Sequence, residues 1–544
     1  MKNNYIEDYL SLKHWRIKEN ANTSISFSGL QTFIASRYLA NDFLRALPRK
    51  CRNAHVKGLI HIHNLESGGY IPYCAGHNLK LLLLSGIKTV TVNSKPPKHL
   101  SSAVDQVMNW LYMSQMEFAG AQAFNDFDTL MAPFVKIDKL SYKRVKQCIQ
   151  KLVFNLNYTM RAASQTPFTN LSLNFCTPRF LENEHAIVGG ETCSFTYEEL
   201  LEEIYMIDKA FCEIMIERDP VGRPFTFPIL TVNLTSKFDW KSDTALLMAE
   251  NAAKVGSFYW MNYIGSGIDE DTVRSMCCRL NISLKELSGP RGLWNTGEGT
   301  GSLGVVTINF PRLAYDSKGD EDTFFQLLEE RMGIALTILN IRKKRIKRYM
   351  KLMMPFNVMN GWSMRTYYIT LGVIGLNEMC LNMFDSPIMD NLDFVEKVLK
   401  YMREYVTEKQ KETRQLINIE MVPGEGSSYR LAYIDRKECK GIKTLGTKRA
   451  PYYSTLLIPP LYDVPLIDRI EMEQRILPLF TGGTIFRIFL GEKEPNPASL
   501  LNFLEKMSRT RIPYYDVTCT YSVCPRDGTF YRGIMEKCPK CNKK

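Results

Sequence analysis

The sequence predicts an α/β protein built as one large unit with a small appendage, and three observations predict it. Short apolar runs alternate with amphipathic stretches of helical length along the 544 residues, the pattern of buried strands covered by helices. A hydrophobic fraction of 45% supplies a sizeable core, compatible with one large α/β barrel. Near the middle, Met276-Cys277-Cys278-Arg279 and the run from Gly304 to Arg312 flank residues 292–301, which are too rich in glycine for a core helix and too apolar at the edges for a tail. That stretch reads as a loop held inside the protein. A thiol at its tip can meet a buried substrate, while Val305, Val306 and Ile308 form a short interior strand delivering Asn309 beside it. A Cys-Cys pair is by itself also ordinary core packing.

In chain order, the first eight residues hold no apolar signal-peptide core, and residues 27–47 form an amphipathic segment. Residues 55–65 alternate like a strand, with His61 and His63 on one face. Two such imidazoles invite a metal reading, but no third ligand stands nearby, so hydrogen-bonded structural histidines are expected. Cys74 follows a glycine turn. Residues 79–84 are apolar but too short and interrupted to span a bilayer. Residues 96–106 begin a helix, with Pro96 and Pro97 just ahead and Ser101 or Ser102 able to cap it, and the helix proceeds through Trp110 and Met116. The stretches 166–173 and 222–233 look alike, each a polar turn followed by an apolar strand, and read as corresponding members of two half-barrels. Residues 197–216 read as helix, 322–353 as a long helix, and 366–378 as a strand passing through a glycine turn into a helix. Residues 420–430 and 480–486 are loop-like, each able to offer backbone amides to phosphate.

Fourteen cysteines spread through apolar segments point to a reducing compartment with a few functional thiols. The net charge of +12 attracts polyanions; part of it is the run Arg342 to Arg348, which reads as a solvated helix face. The tail changes character. Cys519, Cys524, Cys538 and Cys541 fall in a short segment rich in glycine and proline, and Cys538-Pro539-Lys540-Cys541 has zinc-knuckle spacing. Four thiolates around zinc would fold a segment too poor in apolar residues to fold alone, with Cys519 the least standard of the four. Charge and cysteines alone also fit a zinc-containing nucleic-acid binder, which leaves the barrel-like segments unexplained.

Together these segments resemble the anaerobic, class III ribonucleoside-triphosphate reductases, a glycyl-radical enzyme family. The resemblance runs from Trp15 almost to the last residue. It is carried, in the family order, by His61-Ile62-His63-Asn64-Leu65, Lys98-His99-Leu100-Ser101-Ser102-Ala103-Val104, Ala119-Gly120-Ala121-Gln122-Ala123-Phe124, Gln165-Thr166-Pro167-Phe168-Thr169-Asn170-Leu171, the Cys277-Cys278 block, residues 304–312 and Thr481-Gly482-Gly483-Thr484.

The resemblance implies a ten-stranded barrel of two five-stranded parallel halves over residues 1–510, with a central finger loop and helices outside. A zinc-ribbon-like segment would occupy 511–544. It implies loss of the ribose 2′-hydroxyl from ribonucleoside triphosphates, with Cys278 as the thiyl radical that abstracts the 3′ hydrogen. Cys74 would donate hydrogen from the opposite face, Asn309 would help hold substrate, and Cys277 would be structural. Further substrate contacts fall to Thr166, Thr169, Gly482, Gly483 and Thr484. An allosteric site for dNTP or ATP effectors falls to His99, Ser101, Ser102 and Gln106. Formate as reductant, a radical-SAM activating enzyme, a homodimer and a cytoplasmic setting complete the expectation. Two departures stand out. No regulatory ATP-cone is expected ahead of the core, and the family's radical glycine has no counterpart after Cys541, since Gly528 and Gly533 both precede the last cysteine pair. The expectation is therefore a reductase core whose radical glycine comes from a separate small chain or was lost through truncation, gene division or sequence error. The alternative is a catalytically silent nucleotide-binding homologue that regulates an intact reductase.

Overall fold

A computed structural model describes residues 4–12, 25–270, 273–275, 281–283, 299–491, 494–524, 526 and 528–543. Its centre is a mainly parallel sheet of eleven strands. In chain order these are β1 (Ile60–Ile62), β2 (Cys74–His77), β3 (Gln122–Phe124), β4 (Thr169–Leu173), β5 (Ile229–Leu234), β6 (Phe258–Asn262), β7 (Thr300–Asn309), β8 (Tyr367–Ile374), β9 (Ile417–Met421), β10 (Phe486–Phe489) and β11 (Tyr514–Thr518). Strands β2 to β6 run parallel to one another, as do β7 to β9 and the pair β10 and β11. The sets meet through two antiparallel seams, β2 on β7 and β6 on β11. Beyond β9, Glu420 forms a parallel bridge with Gly483, just ahead of β10, which ties together the two ends of the strand order.

The strands read as apolar runs because both of their faces are covered. Every residue of β7, β8 and β9 is buried. The helices used below are α1 (Phe27–Ala46), α2 (Leu100–Ser114), α3 (Phe127–Ile137), α4 (Leu201–Glu217), α5 (Phe310–Ser317), α6 (Glu321–Met353) and α7 (Glu425–Glu438). The longest, α6, starts where Asp320 accepts the Thr323 amide at 2.8 Å, and it buries Phe324, Leu328, Met332, Ala335 and Leu339 at helical spacing. Among the described residues no helix is long and apolar enough to cross a membrane.

Several expectations change on meeting the fold. The basic run on α6 is not simply a solvated face: Arg342 is buried and donates to the carbonyls of His63 and Ile71 and to Ser67 Oγ. Gly304 permits this, since a Cβ there would lie 2.8 Å from Arg342 Cδ. Only Ile60–Ile62 of the 55–65 stretch is strand. His63 is the structural histidine expected, 2.7 Å from Thr307 Oγ1, with burial and Arg342 holding its imidazole at about 4 and therefore neutral. Helix α2 begins at Leu100, and neither Ser101 nor Ser102 caps it; Asp138 takes the Leu100 amide instead, at 3.3 Å. That helix ends at Ser114, before Met116. The two look-alike stretches become β4 and β5, which pair directly within one parallel set rather than standing in different halves. Residues 420–430 are mostly regular, closing β9 and opening α7. Strand β11 belongs to the main sheet, so the cysteine-rich segment starts after Thr518.

One buried charge pair is outside the sheet's own logic. Asp208 of α4 and Asp128 of α3 are fully buried neighbours. Asp128 accepts the amides of Thr129, Asn174 and Phe175, which suit it to hold a negative charge, yet burial keeps its carboxyl up at about 6. Burial first, and then the Asp128 charge, push Asp208 well above the carboxylate range. Because the folded values exceed the unfolded ones, folding binds protons here, and the pair's contribution is lost as pH rises above about 4 and through 6. Asp208→Asn should therefore stabilise the protein at pH 8 and flatten the fall in stability between pH 5 and pH 8. Urea melts at the two pH values check this, and a variant less stable at pH 8 than the parent would contradict it.

Candidate active site

The seam between β2 and β7 sets the site. Cys74 opens β2 directly opposite Ser302 of β7, and Tyr73 donates its amide to the Ser302 carbonyl at 2.9 Å. A register shift between Ser302 and Gly304 turns the Ser302 hydroxyl to within 3.0 Å of Thr370 Oγ1 on β8. Thr370 stands opposite Asn418 of β9, and directly opposed residues share a face. Gly482 closes on Asn418 from the next segment, where a Cβ would lie 2.8 Å from Asn418 Cγ. Cys74, Ser302, Thr370, Asn418 and Gly482 thus form one buried row across the sheet.

Room beside the thiol comes from small residues. Ala121, Ala123 and Tyr368 wall it, and a Cβ on Gly120 would lie 2.7 Å from Cys74 Sγ and 2.8 Å from the Tyr73 ring. Beyond Gly120 lies a cavity of about 520 Å³ lined by Tyr73, Gln115, Arg161, Thr166 and Phe168. Of the polar atoms lining this cavity, Thr166 Oγ1 and both amide atoms of Gln115 lack partners, and so do Asn418 Oδ1 and Nδ2 on the row and Asn170 Oδ1 on β4. Buried polar groups are rarely left unpaired in native proteins, so a polar ligand is the physical expectation here.

The site residues expected from sequence divide as follows. Cys74 and Gly482 belong to the row, and Thr166 to the cavity. Thr169 falls opposite Gln122 and so faces away from Cys74; one position on, Asn170 takes the inner face, opposite Ala123, and donates to Thr231 Oγ1 at 3.0 Å. Gly483 makes the bridge to Glu420, and Thr484 is buried against Met421 Sδ at 3.8 Å. Cys277 and Cys278 lie outside the described residues.

Asn309 is not brought to Cys74. It ends β7 seven residues beyond Ser302, roughly 23 Å along the strand. Its Oδ1 accepts the Arg312 amide to cap α5, while its Nδ2 donates to the Gly58 carbonyl and to Asp435 at 2.6 Å. Asp435 is in turn held by Tyr453 and Arg312; burial raises its carboxyl to about 6 against those hydrogen bonds. The pattern Asn309-Phe310-Pro311 carried this signal, since a cap residue ahead of an early proline marks a helix start. Ser302 is the polar residue the sequence reading missed, and only strand pairing reveals it.

The expected effector residues cluster at the start of α2. His99 Nδ1 lies 2.8 Å from Asp138, Gln106 donates to the Lys95 carbonyl at 2.8 Å, and Ser101 is exposed. At the other end of α2, roughly 22 Å away, Ser114 meets Gln122 at 2.7 Å and His77 at 3.1 Å. His77 lies on the strand that carries Cys74.

In the tail, the ligand atoms of Cys524, Cys538 and Cys541 all lie within 4.8 Å of one another. Burial opposes ionisation of Cys538, but the Cys541 and Lys540 amides and the Tyr531 hydroxyl outweigh it and bring the thiol down to about 7. Three convergent soft donors fit zinc. Cys519 is not among them: its Sγ sits 3.6 Å from the carbonyls of Ala252 and Ala253, and burial raises its thiol. The strand β11 just before it carries Cys519 into the main sheet's packing instead.

The family model for anaerobic ribonucleoside-triphosphate reductase matches residues 19–544. The Escherichia coli enzyme of that name is 25% identical, over 96% of this chain and 78% of its own length. The bacteriophage T4 enzyme is 22% identical, over 86% of this chain and 80% of its own. A crystal structure of the Thermotoga maritima anaerobic ribonucleotide reductase in complex with dATP and CTP superposes with a TM-score of 0.76, at 24% identity, covering 99% of this chain and 90% of that one. The chain belongs to the anaerobic ribonucleoside-triphosphate reductase family.

Proposed function

We propose that this chain reduces ribonucleoside triphosphates to 2′-deoxyribonucleoside triphosphates at the row that contains Cys74, inside a ten-stranded barrel closed by the Glu420 and Gly483 bridge. The observation that carries the reading is a fully buried thiol set against Ser302, Thr370 and the unpartnered amide of Asn418. Exclusion of water protects a thiol-centred hydrogen transfer from side reactions. Cys278 is the proposed thiyl, on the finger loop, and Cys74 donates hydrogen to the opposite face of the ribose. The Asn418 amide, Asn170 and Thr166 orient the sugar, and Ser302 fixes the seam beside the thiol.

With formate as reductant the reaction balances as ribonucleotide plus formate plus a proton giving deoxyribonucleotide, water and carbon dioxide. A glycyl radical, when present, supplies the hydrogen abstraction that generates the thiyl. We propose that this radical is supplied in trans, by a small glycine-bearing chain activated by a radical-SAM enzyme. Effector dNTP or ATP is assigned to the start of α2 at a homodimer interface; the Thermotoga structure, with dATP and CTP bound, supports a site of this kind. Free thiols at every described cysteine suit a reducing, cytoplasmic setting.

Anaerobic mixing of the chain with CTP, dATP, formate, the activating enzyme and a glycine-bearing partner should yield dCTP. Nucleotide binding with no product under every such condition would instead favour a silent regulator. Cys74→Ser should lower turnover by roughly two orders of magnitude or more while CTP still binds, because an O–H bond is a poorer hydrogen donor. Asn309→Ala should cost about 2 to 3 kcal/mol of stability through the lost cap and the stranded Asp435, with turnover per folded molecule retained. A stable but inactive Asn309→Ala variant would return that residue to the substrate site. For the tail, elemental analysis should find one zinc per chain, lost in Cys538→Ser and kept in Cys519→Ser; loss in Cys519→Ser would restore it as a ligand.

A further inference from the structure

The chain's excess positive charge is not spread evenly. Residues 436–449 hold six basic side chains and one acid, and residues 43–65 hold five basic side chains and no acid. The fold brings these two stretches together. Helix α7 buries Ser428, Leu431, Ala432 and Asp435 and turns Tyr433, Arg436 and Lys437 outward. The hairpin of Leu445–Gly446 and Pro451–Tyr452 is tied to that outer face, because Arg436 donates to the Thr447 carbonyl at 2.8 Å, next to Lys448 and Arg449 at the tip. From the other side comes the end of the helix Arg49–Val56. Arg430 of α7 donates to the His55 carbonyl at 2.6 Å, and a Cβ on Gly58 would lie 3.1 Å from Ile434 Cγ2, so Lys57 borders the same surface.

Among the described residues, Lys57, Arg436, Lys437, Lys440, Lys448 and Arg449 form no ion pair, while two acids of the region are engaged, Glu438 with Arg312 at 3.8 Å and Asp385 with Lys443. Gathered like charges repel one another, and a polyanion relieves that repulsion. Aromatic rings stand among the charges. Tyr429 and Tyr433, one helical turn apart, stack with centroids 5.6 Å apart and planes at 26°, and Lys437 lies over the Tyr433 ring at 4.1 Å. Apart from Val56, the large apolar side chains exposed on these segments are tyrosines, Tyr433 at 39% and Tyr452 at 41%. Duplex DNA and an acidic peptide use such charges without the rings, and a lipid surface calls for exposed aliphatic side chains. Unpaired bases use both, since they stack on tyrosines while their phosphates meet the cations; an exposed lysine over a ring is the weaker contact and gives way.

We propose that the outer face of α7, with its hairpin and Lys57, binds single-stranded DNA. The surface is argued from its own geometry. The choice of DNA over RNA rests on the reduction proposed above, whose deoxynucleotide products are consumed by synthesis on a DNA template strand. A reductase held on that strand releases its products where templated polymerisation uses them.

The test is fluorescence anisotropy of the full, unactivated chain with labelled oligo-dT of about twenty nucleotides, long enough to cover one such surface. Binding should weaken steeply as salt rises. Reversing the hairpin tip with Lys448→Glu and Arg449→Glu should weaken it about tenfold or more and flatten its salt dependence. Tyr433→Ala should weaken it several-fold at unchanged salt dependence, since stacking is lost and no charge is. Lys347→Glu with Arg348→Glu, on the exposed part of the α6 basic run, should change it little. All these variants should keep CTP binding. Unchanged affinity in both the hairpin and the Tyr433→Ala variants overturns the proposal, and so does a greater loss from the α6 pair. Tighter binding of duplex DNA or oligo-U, or equal competition by polyglutamate or by phosphatidylserine vesicles, gives the surface to another partner and overturns it as well. Hairpin-dependent oligo-dT binding in a chain that never makes dCTP upholds the surface while removing the reductase reading; dCTP formation without oligo-dT binding does the reverse.

Discussion

Everything at the site hangs on the antiparallel seam between β2 and β7. A parallel sheet alone would place strand ends, not strand centres, against each other's active faces. Here the reversal of direction sets the first residue of β2 opposite the third residue of β7, so that Cys74 and Ser302 meet deep inside the sheet. Gly301 makes this approach possible, since a Cβ there would collide with the Cys74 carbonyl and the Tyr367 ring. The same glycine-permitted closeness recurs at Gly120 on one side of the thiol and at Gly482 beside Asn418 on the other. The interior polar row is thus a product of backbone approach as much as of side-chain choice.

The two ends of β7 have different tasks. Its beginning supplies the surface that Cys74 faces, and its end supplies a cap for α5 and a partner for Asp435. Strand length separates them, so the residue that looked chemically apt in sequence, Asn309, serves helix geometry. A buried aspartate between Asn309, Arg312 and Tyr453 is costly unless fully bonded, and here it is bonded on both oxygens. That network fixes the junction of α5 and α7, the shell that keeps the row in register.

Much of the fold was legible because buried strands and amphipathic helices announce themselves by period. The long α6, the strand Tyr367–Ile374 and the strand before Asn309 all appear where their apolar patterns place them. The three clustered tail cysteines were also readable, since ligand spacing survives in one dimension. Pairing was not. Which of Thr169 and Asn170 faces inward is decided by a single step of register, and Ser302 becomes notable only through its partner on another strand. Arg342 was misread for a related reason: a basic run looks solvated until a loop of free carbonyls is folded over it.

The account is tested most directly by the structure of this chain with CTP bound. It predicts the ribose within about 4 Å of Cys74 Sγ, with the Asn418 amide now bonded to the nucleotide. A ribose seated at the Asn309 end of β7, with Cys74 and Asn418 left as they are, would contradict it.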